Sequence, residues 1–310
     1  MTTPHSYRFF VGKVIFKDLH GVRLTMRYVI AVGGNALREE RVLNKLSRLV
    51  ARLHGGGDEV IITHGNGPQV GELAMLEDKS LSALTAQTEA EIGLVMENKL
   101  AAASASKLKI ATVLTRVLVD ANDRQFSNPS KPIGRFYSEK PRQRHGLVFR
   151  KMIGGYRRIV PSPMPREIME KDLIVDLLRK GYVVIAAGGG GIPLVKRGKE
   201  LRYVEAVLDK DRSSALLAIR LKADRLIILT NVDGAYTDYK KPGQRLIRQI
   251  SAEKLASYMK MGYFEHGSMG PKVEACIEFV RKTGKKATIG HLEKPEDAFA
   301  GRNCTTVNEK

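Results

Sequence analysis

Apolar and polar positions fall into blocks along most of this chain. Four short apolar runs each stop at glycine or a small polar cluster. Residues 28–32 precede Gly33, Gly34 and Asn35; residues 60–62 precede Thr63, His64, Gly65, Asn66 and Gly67. Residues 183–187 precede Gly188, Gly189, Gly190 and Gly191; residues 226–229 precede Thr230, Asn231, Val232, Asp233 and Gly234. A short unbroken apolar run reads as a strand buried on both faces, the habit of parallel sheets. Between these runs the apolar period lengthens. Val42, Leu46, Leu49 and Leu53 step by four, three and four along one helical face, which Gly55, Gly56 and Gly57 end. Leu81, Leu84, Thr88, Ile92, Val95 and Leu100 predict a longer helix over about residues 80–106, and residues 110–115 a third strand. Pro165 is expected to open a helix carrying Ile168, Val175 and Leu178 and ending at Gly181, since proline at the first helical position costs no hydrogen bond. Further helices are expected over 213–221, 251–261 and from Pro271 to Gly284, with 286–290 and 304–307 closing the sheet. Such alternation predicts an open α/β sheet with helices on both faces.

Two stretches break the rhythm. Residues 120–165 hold Pro129, Pro132, Pro141, Pro161 and Pro163 and are too many for a structureless loop. They are expected to form a small protruding subdomain with short strands near 147–149 and 158–160. Residues 1–25 precede the first sheet strand and read as an N-terminal extension of uncertain status, an added hairpin or an upstream start, with Met26 where a natural start would stand.

Composition changes this picture in three ways. No apolar run approaches the ~18 residues of a membrane span, and the first residues lack the apolar core of a secretory signal, so a cytoplasmic protein is expected. Cys276 and Cys304 fit no metal spacing and read as reduced core thiols. The formal net charge is +19, and residues 124–158 carry ten Lys or Arg against one acid. Such a field attracts anions, but no nucleic-acid-binding motif accompanies it.

Glycine at a strand end brings backbone N–H groups close to a ligand, and the helix that follows points its positive end the same way. Four such junctions on one sheet edge suit phosphates. Phosphoryl transfer needs backbone donors, cations at the moving group and a carboxylate to orient them. Three lysines sit in suitable surroundings. Lys131 lies in a stiff turn between Pro129 and Pro132; Lys210 lies between Asp209 and Asp211; Lys272 follows Gly270 and Pro271 at a helix start, where a cation makes sense only beside an anion. Asp211 reads equally as a helix cap. His64 is a weak candidate for a base, because an anionic acceptor needs none. Neither the Gly-x-x-x-x-Gly-Lys-Ser/Thr loop nor the Gly-x-Gly-x-x-Gly fingerprint occurs.

The order of these motifs resembles the carbamate kinases of the amino-acid kinase superfamily. The likeness runs through residues 31–36, His64 to Gly71, Asn128 to Gly134, Val160 to Pro163, Gly188 to Pro193, Val204 to Asp211 and Gly267 to Lys272, and so spans about residues 26–310. It implies a three-layer αβα sandwich, a homodimer and Mg2+ carried with ATP or ADP. It implies reversible transfer between carbamoyl phosphate plus ADP and carbamate plus ATP. Gly33, Gly34, Asn35, Gly65, Asn66, Gly67, Gly189 and Gly190 would hold the small acid and the phosphoryl group. Lys131, Lys210 and Lys272 would neutralise that group, with Asp211 orienting the lysines. Asp209, Thr230, Asn231, Val232, Asp233, Tyr236 and Met269 would border the nucleotide. The expected division is a small-acid lobe over 26–212, with 120–165 inserted, and a nucleotide lobe over 213–310. One departure stands out: Thr88-Glu89-Ala90 precedes Ile92-Gly93 where the family usually has Thr-Gln-Gly. A kinase for another small acid, a non-catalytic nucleotide sensor and an RNA-binding protein are the alternative readings.

Overall fold

Consecutive residues of a strand face opposite sides of its sheet, and in the central strands of this chain both sets are apolar. Val29, Ala31, Ile61, Val184, Leu226 and Ile228 pack on one side, against the helices Lys171–Arg179, Lys210–Arg220, Ala252–Lys260 and Met269–Thr283. Tyr28, Ile30, Val32, Val60, Ile62, Ile185 and Ile227 pack on the other, against the helices Glu40–Gly55 and Leu81–Ala103. Strands buried on both faces demand a helix layer on each, and the result is a three-layer αβα sandwich. The computed structural model describes residues 24–33, 39–141, 147–264 and 268–310.

Among the described residues the central sheet has eight strands, in the order Gln249–Ser251, Thr305–Asn308, Lys286–His291, Arg225–Thr230, Arg27–Val32, Glu59–His64, Tyr182–Ala186, Lys109–Val113. The six from Lys286–His291 to Lys109–Val113 are mutually parallel; Thr305–Asn308 turns antiparallel and pairs in parallel with Gln249–Ser251. The four glycine-terminated runs are thus adjacent parallel strands, and their carboxyl ends lie along one edge. Ligands of open α/β sheets bind at that edge.

Part of the stretch 120–165 folds into a sheet separate from the central one, with strands close to the two expected positions. Lys131–Tyr137, Gly155–Val160 and Val148–Met152 make a three-stranded antiparallel sheet. A further sheet of Glu200–Tyr203, Ile192–Arg197, Arg116–Val119 and Pro165–Ile168 lies apart from the central one.

Several elements differ from expectation. Pro165 opens a strand, Pro165–Ile168, antiparallel to Arg116–Val119, and the helix starts only at Lys171. Proline is as well suited to the first residue of an edge strand as to the first turn of a helix. Residues 67–76 form a helix, Gly67–Leu76, with Pro68 in its first turn. The long helix runs Leu81–Ala103, and the Ser80 hydroxyl accepts the Ala83 N–H as its cap. Its buried stripe takes Met96 in place of Val95, which is exposed. Cys276 and Cys304 are free and buried. Among the described residues no helix is long and apolar enough to cross a membrane.

Candidate functional site

The helix Lys210–Arg220 starts three residues earlier than the expected 213, and this places the chemistry. Its cap is Asp209, not Asp211. Asp209 Oδ1 accepts the N–H groups of Asp211 at 3.0 Å and Arg212 at 3.3 Å. Lys210 and Asp211 therefore occupy the first turn. The helix is fastened to the sheet edge by Thr63 Oγ1 and Ser214 Oγ, 2.6 Å apart. It is fastened to the helix Met269–Thr283 by Arg212 and Glu274, 2.7 Å apart.

Asp211 sits between two ammonium groups. Lys210 Nζ donates to its Oδ1, and Lys272 Nζ donates to its Oδ2 at 3.0 Å and to the Ser268 carbonyl at 3.1 Å. Lys131 reaches the same place from the protruding subdomain, with its Nζ 3.3 Å from Asp209 Oδ2. Three lysines and two aspartates thus form one cluster carrying a net positive charge. Burial alone would raise both carboxyls. For Asp209 the charges of Lys131, Lys210 and Lys272 overcome it, and for Asp211 those of Lys210 and Lys272, so both stay ionised below the usual carboxylate range. Burial lowers Lys210 from its ordinary value. It would lower Lys272 too, but Asp211 outweighs it and holds Lys272 above its ordinary value.

Lys131 is delivered by a close backbone contact. The helix Gly67–Leu76 meets the strand Lys131–Tyr137 where Gly71 faces Gly134, so tightly that a Cβ on Gly71 would stand 1.9 Å from the Gly134 nitrogen. Gly134 has φ +70°, a left-handed conformation that suits glycine. Arg157 donates to the Gly134 carbonyl at 2.7 Å and Arg158 to that of Ala74 at 3.0 Å, closing the joint.

The glycine loops surround the cluster, though not all as N–H donors. The Gly33 N–H donates to Leu229 O and the Gly65 N–H to Val32 O, so both extend the sheet. Gly67 opens a helix whose first N–H groups have no partner within it. Gly189 lies against Asn66, where a Cβ would come 2.2 Å from Nδ2, and Gly190 lies against Leu208. Asn66 donates from Nδ2 to Thr88 Oγ1 at 3.0 Å. His64 is fully buried under Gly188, and burial holds its pKa down to about 4. A neutral ring so enclosed is not a general base. Gly34 and Asn35, like Gly267, lie outside the described residues.

Beyond the cluster a cleft of about 660 Å3 opens along the edge. Thr230, Asn231, Val232, Tyr236 and Met269, which the resemblance sets beside the nucleotide, line it. Tyr239, Lys241 and Tyr263 line it too, and nothing in their sequence spacing marks them. Two expected nucleotide residues lie elsewhere. Asp209 belongs to the lysine cluster, and Asp233 is 3.9 Å from Lys294 at the cleft's margin. The volume is that of a small-molecule site with mixed walls. Another concavity, about 450 Å3, is shaped by the single stretch Arg135–Pro141 and brings no separate elements together.

The model of the amino acid kinase family matches residues 26–291. A carbamate kinase of Thermoplasma acidophilum is 41% identical over 303 residues, covering 91% of this chain and 99% of that enzyme. One of Thermococcus kodakarensis is 40% identical over 311 residues, with 91% and 98% covered. Among solved structures, carbamate kinase from Giardia lamblia bound to AMP-PNP superposes with a TM-score of 0.81 at 35% identity, covering 92% of this chain and 98% of that one.

Proposed function

The chain belongs to the amino acid kinase family, and from that premise we propose that it transfers a phosphoryl group reversibly between carbamoyl phosphate plus ADP and carbamate plus ATP. Its activity is carbamate kinase-like phosphotransfer. The observation that carries the reading is the Asp211 carboxylate held between Lys210 and Lys272, with Lys131 on Asp209 beside it.

In the ATP-forming direction an ADP β-phosphate oxygen attacks phosphorus, and the bond from phosphorus to the carbamate oxygen breaks. In reverse a carbamate oxygen attacks the γ-phosphorus of ATP and ADP leaves. Both nucleophiles are already anionic, so no proton has to move. The protein's task is to align the two oxygens and neutralise the charge spread over the moving group. Lys210, Lys272 and Lys131 supply that charge from a largely buried setting, where it counts for more than in water. Asp211 fixes the spacing of Lys210 and Lys272. Asn66, Gly67, Gly189 and Gly190, with Gly33 and Gly65, enclose the small acid; Gly34 and Asn35, given the same role by the resemblance, lie outside the described residues. The cleft from Thr230 to Met269 takes the nucleotide.

A divalent cation arrives as part of the substrate, Mg2+ on the nucleotide phosphates. Among the described residues no three His, Cys, Asp or Glu side chains converge on a metal position, and Asp209 and Asp211 are engaged by ammonium groups. The charges of Asp209 and Asp211 are thus taken up by lysines. Residues 26–212, including the 120–165 subdomain, serve the small acid, and 213–310 the nucleotide. Family membership supports a cytoplasmic homodimer. The test is ATP formation from carbamoyl phosphate and ADP by the purified protein, coupled to NADP reduction. Steady turnover is expected. No ATP from carbamoyl phosphate, with turnover on acetyl phosphate instead, would replace carbamate with another small acid.

A further inference from the structure

Two neighbouring residues of the long helix reach two different glycine loops. Thr88 Oγ1 accepts from Asn66 Nδ2 at 3.0 Å, holding the loop that leads into the helix Gly67–Leu76. Glu89 accepts the Gly188 N–H on Oε1 at 2.8 Å and the Thr115 N–H on Oε2 at 3.2 Å. Both side chains are fully enclosed, and Glu89 is 1% exposed. Thr115 completes the joint: its Oγ1 accepts the Ala187 N–H at 2.8 Å, and its carbonyl accepts the Ile192 N–H at 2.7 Å. The turn from Ala187 to Ile192 is therefore tied down at its first, second and last residues.

The turn needs tying. Ala187 holds φ 50°, ψ 39°, a left-handed conformation unfavourable for a residue with a Cβ. Strained backbone persists where its surroundings over-determine it. Beyond the strain lies the contact that shapes the small-acid end, Gly189 pressed on the Asn66 carboxamide. Thr88 fixes one wall of that contact and Glu89 the other.

We infer that Glu89, acting with Thr88, is a positioning residue that sets the separation of the two glycine loops enclosing the small acid, and that its two oxygen acceptors are specifically required. The inference rests on the phosphotransferase reading above. Its chemistry makes the carboxyl group distinct from the carboxamide that the family pattern usually places here. A carboxyl oxygen keeps a lone pair for an N–H whether or not the group is protonated. A carboxamide nitrogen has only donors, so Glu89→Gln would set a donor against the N–H of either Thr115 or Gly188. The buried N–H left without an acceptor would free the turn.

The test compares the full-length protein with Glu89→Gln, Glu89→Asp and Thr88→Val. It measures ATP formation from carbamoyl phosphate and ADP together with hydrogen exchange at the Gly188 amide. The expected result for Glu89→Gln is a kcat at least ~10-fold lower, a nucleotide KM within twofold, and faster Gly188 exchange. Glu89→Asp should recover part of the rate, because it restores two acceptors on a shorter stem. Thr88→Val keeps the volume, loses the Asn66 acceptor, and should show the same split between kcat and nucleotide KM; it decides the matter if Glu89→Gln does not fold. A folded Glu89→Gln with unchanged kcat overturns the inference, as does an equal loss in nucleotide binding. If the unmodified protein forms no ATP, the kinase reading fails by itself, and the clamp stands or falls on Gly188 exchange alone.

Discussion

Replacing Gly71 by alanine should disable the enzyme without touching any group that meets substrate. The added Cβ would stand 1.9 Å from the Gly134 nitrogen and 2.2 Å from its Cα, where ordinary contact begins at 3.4 Å. These are main-chain atoms on both sides, so no rotamer change relieves the clash. The strand Lys131–Tyr137 must retreat by about 1.5 Å. Lys131 opens that strand, and its ammonium is already 3.3 Å from Asp209, so the retreat takes it out of contact. A misplacement of about 1 Å at a reacting centre costs on the order of 100-fold in rate, which is ~2.7 kcal/mol of transition-state stabilisation. Overpacking itself should cost only ~1–3 kcal/mol of stability, leaving the variant folded. The cleft proposed for the nucleotide is built from Thr230 to Met269, far along the chain, and should keep its affinity. The assay is coupled ATP formation for kcat, with calorimetric titration of ADP for binding. A folded Gly71→Ala protein with kcat within threefold of the parent would refute the claim that this joint positions Lys131.

Lys210→Ala and Lys272→Ala should each lower kcat by at least ~100-fold, the scale of removing one preorganised partner of the transition state, with a smaller change in ADP affinity by the same titration. Lys131→Ala should raise the KM for carbamoyl phosphate more than that for ADP in steady-state kinetics, since the strand that carries Lys131 belongs to the part proposed to serve the small acid. Tyr263→Ala and Lys241→Ala should raise the ADP KM and leave kcat nearly unchanged, because both line the cleft and neither reaches the lysine cluster. Burial pushes the Glu89 carboxyl up to about 8, against the opposing N–H bonds of Thr115 and Gly188 and with help from Glu170. The folded form therefore holds a proton that the unfolded chain releases near 4.5, so this contribution to stability is complete below pH 4.5 and disappears as pH rises through about 8. Thermal melts across that window should fall with pH, and Glu89→Gln should flatten the slope, worth at most roughly 5 kcal/mol.

The layers were legible because strands buried on both faces must be apolar throughout, and residues 28–32, 60–62, 183–187 and 226–229 carry no competing pattern. What misled was punctuation with two meanings. Pro165 starts a strand rather than a helix. The three lysines carried local signals, namely flanking prolines, flanking aspartates and a helix start. Their partners did not. Lys272 meets Asp211 across 61 residues and Lys131 meets Asp209 across 78, and no local pattern encodes such separations. Glu89 was ambiguous for a related reason. On a helix with apolar residues at several angles, only the packed neighbours decide whether a carboxylate faces solvent or a buried N–H. Tyr239, Lys241 and Tyr263 come from connections between elements, where no periodicity reports what a side chain faces.

The aspartates of the cluster raise a physical question, because carboxylates beside a phosphoryl site repel the group to be bound. Their mobility answers it. Asp209 is fixed as a helix cap by two backbone N–H groups, and Asp211 lies in the first turn of the same helix. Neither can turn toward the incoming anion. The lysines end on flexible four-carbon stems and donate in several directions. Burial works against the charged form of Lys210, whose value stays lowered even with Asp211 beside it. The Asp211 carboxylate opposes that effect at Lys210 and Lys272, and the two aspartates hold the three ammonium groups close together. When a phosphoryl group arrives, each lysine can retain one N–H on its aspartate and turn another to the new oxygens. The aspartates then act as fixed anchors for mobile cations, and the net positive charge of three lysines over two carboxylates remains for the anion in transit.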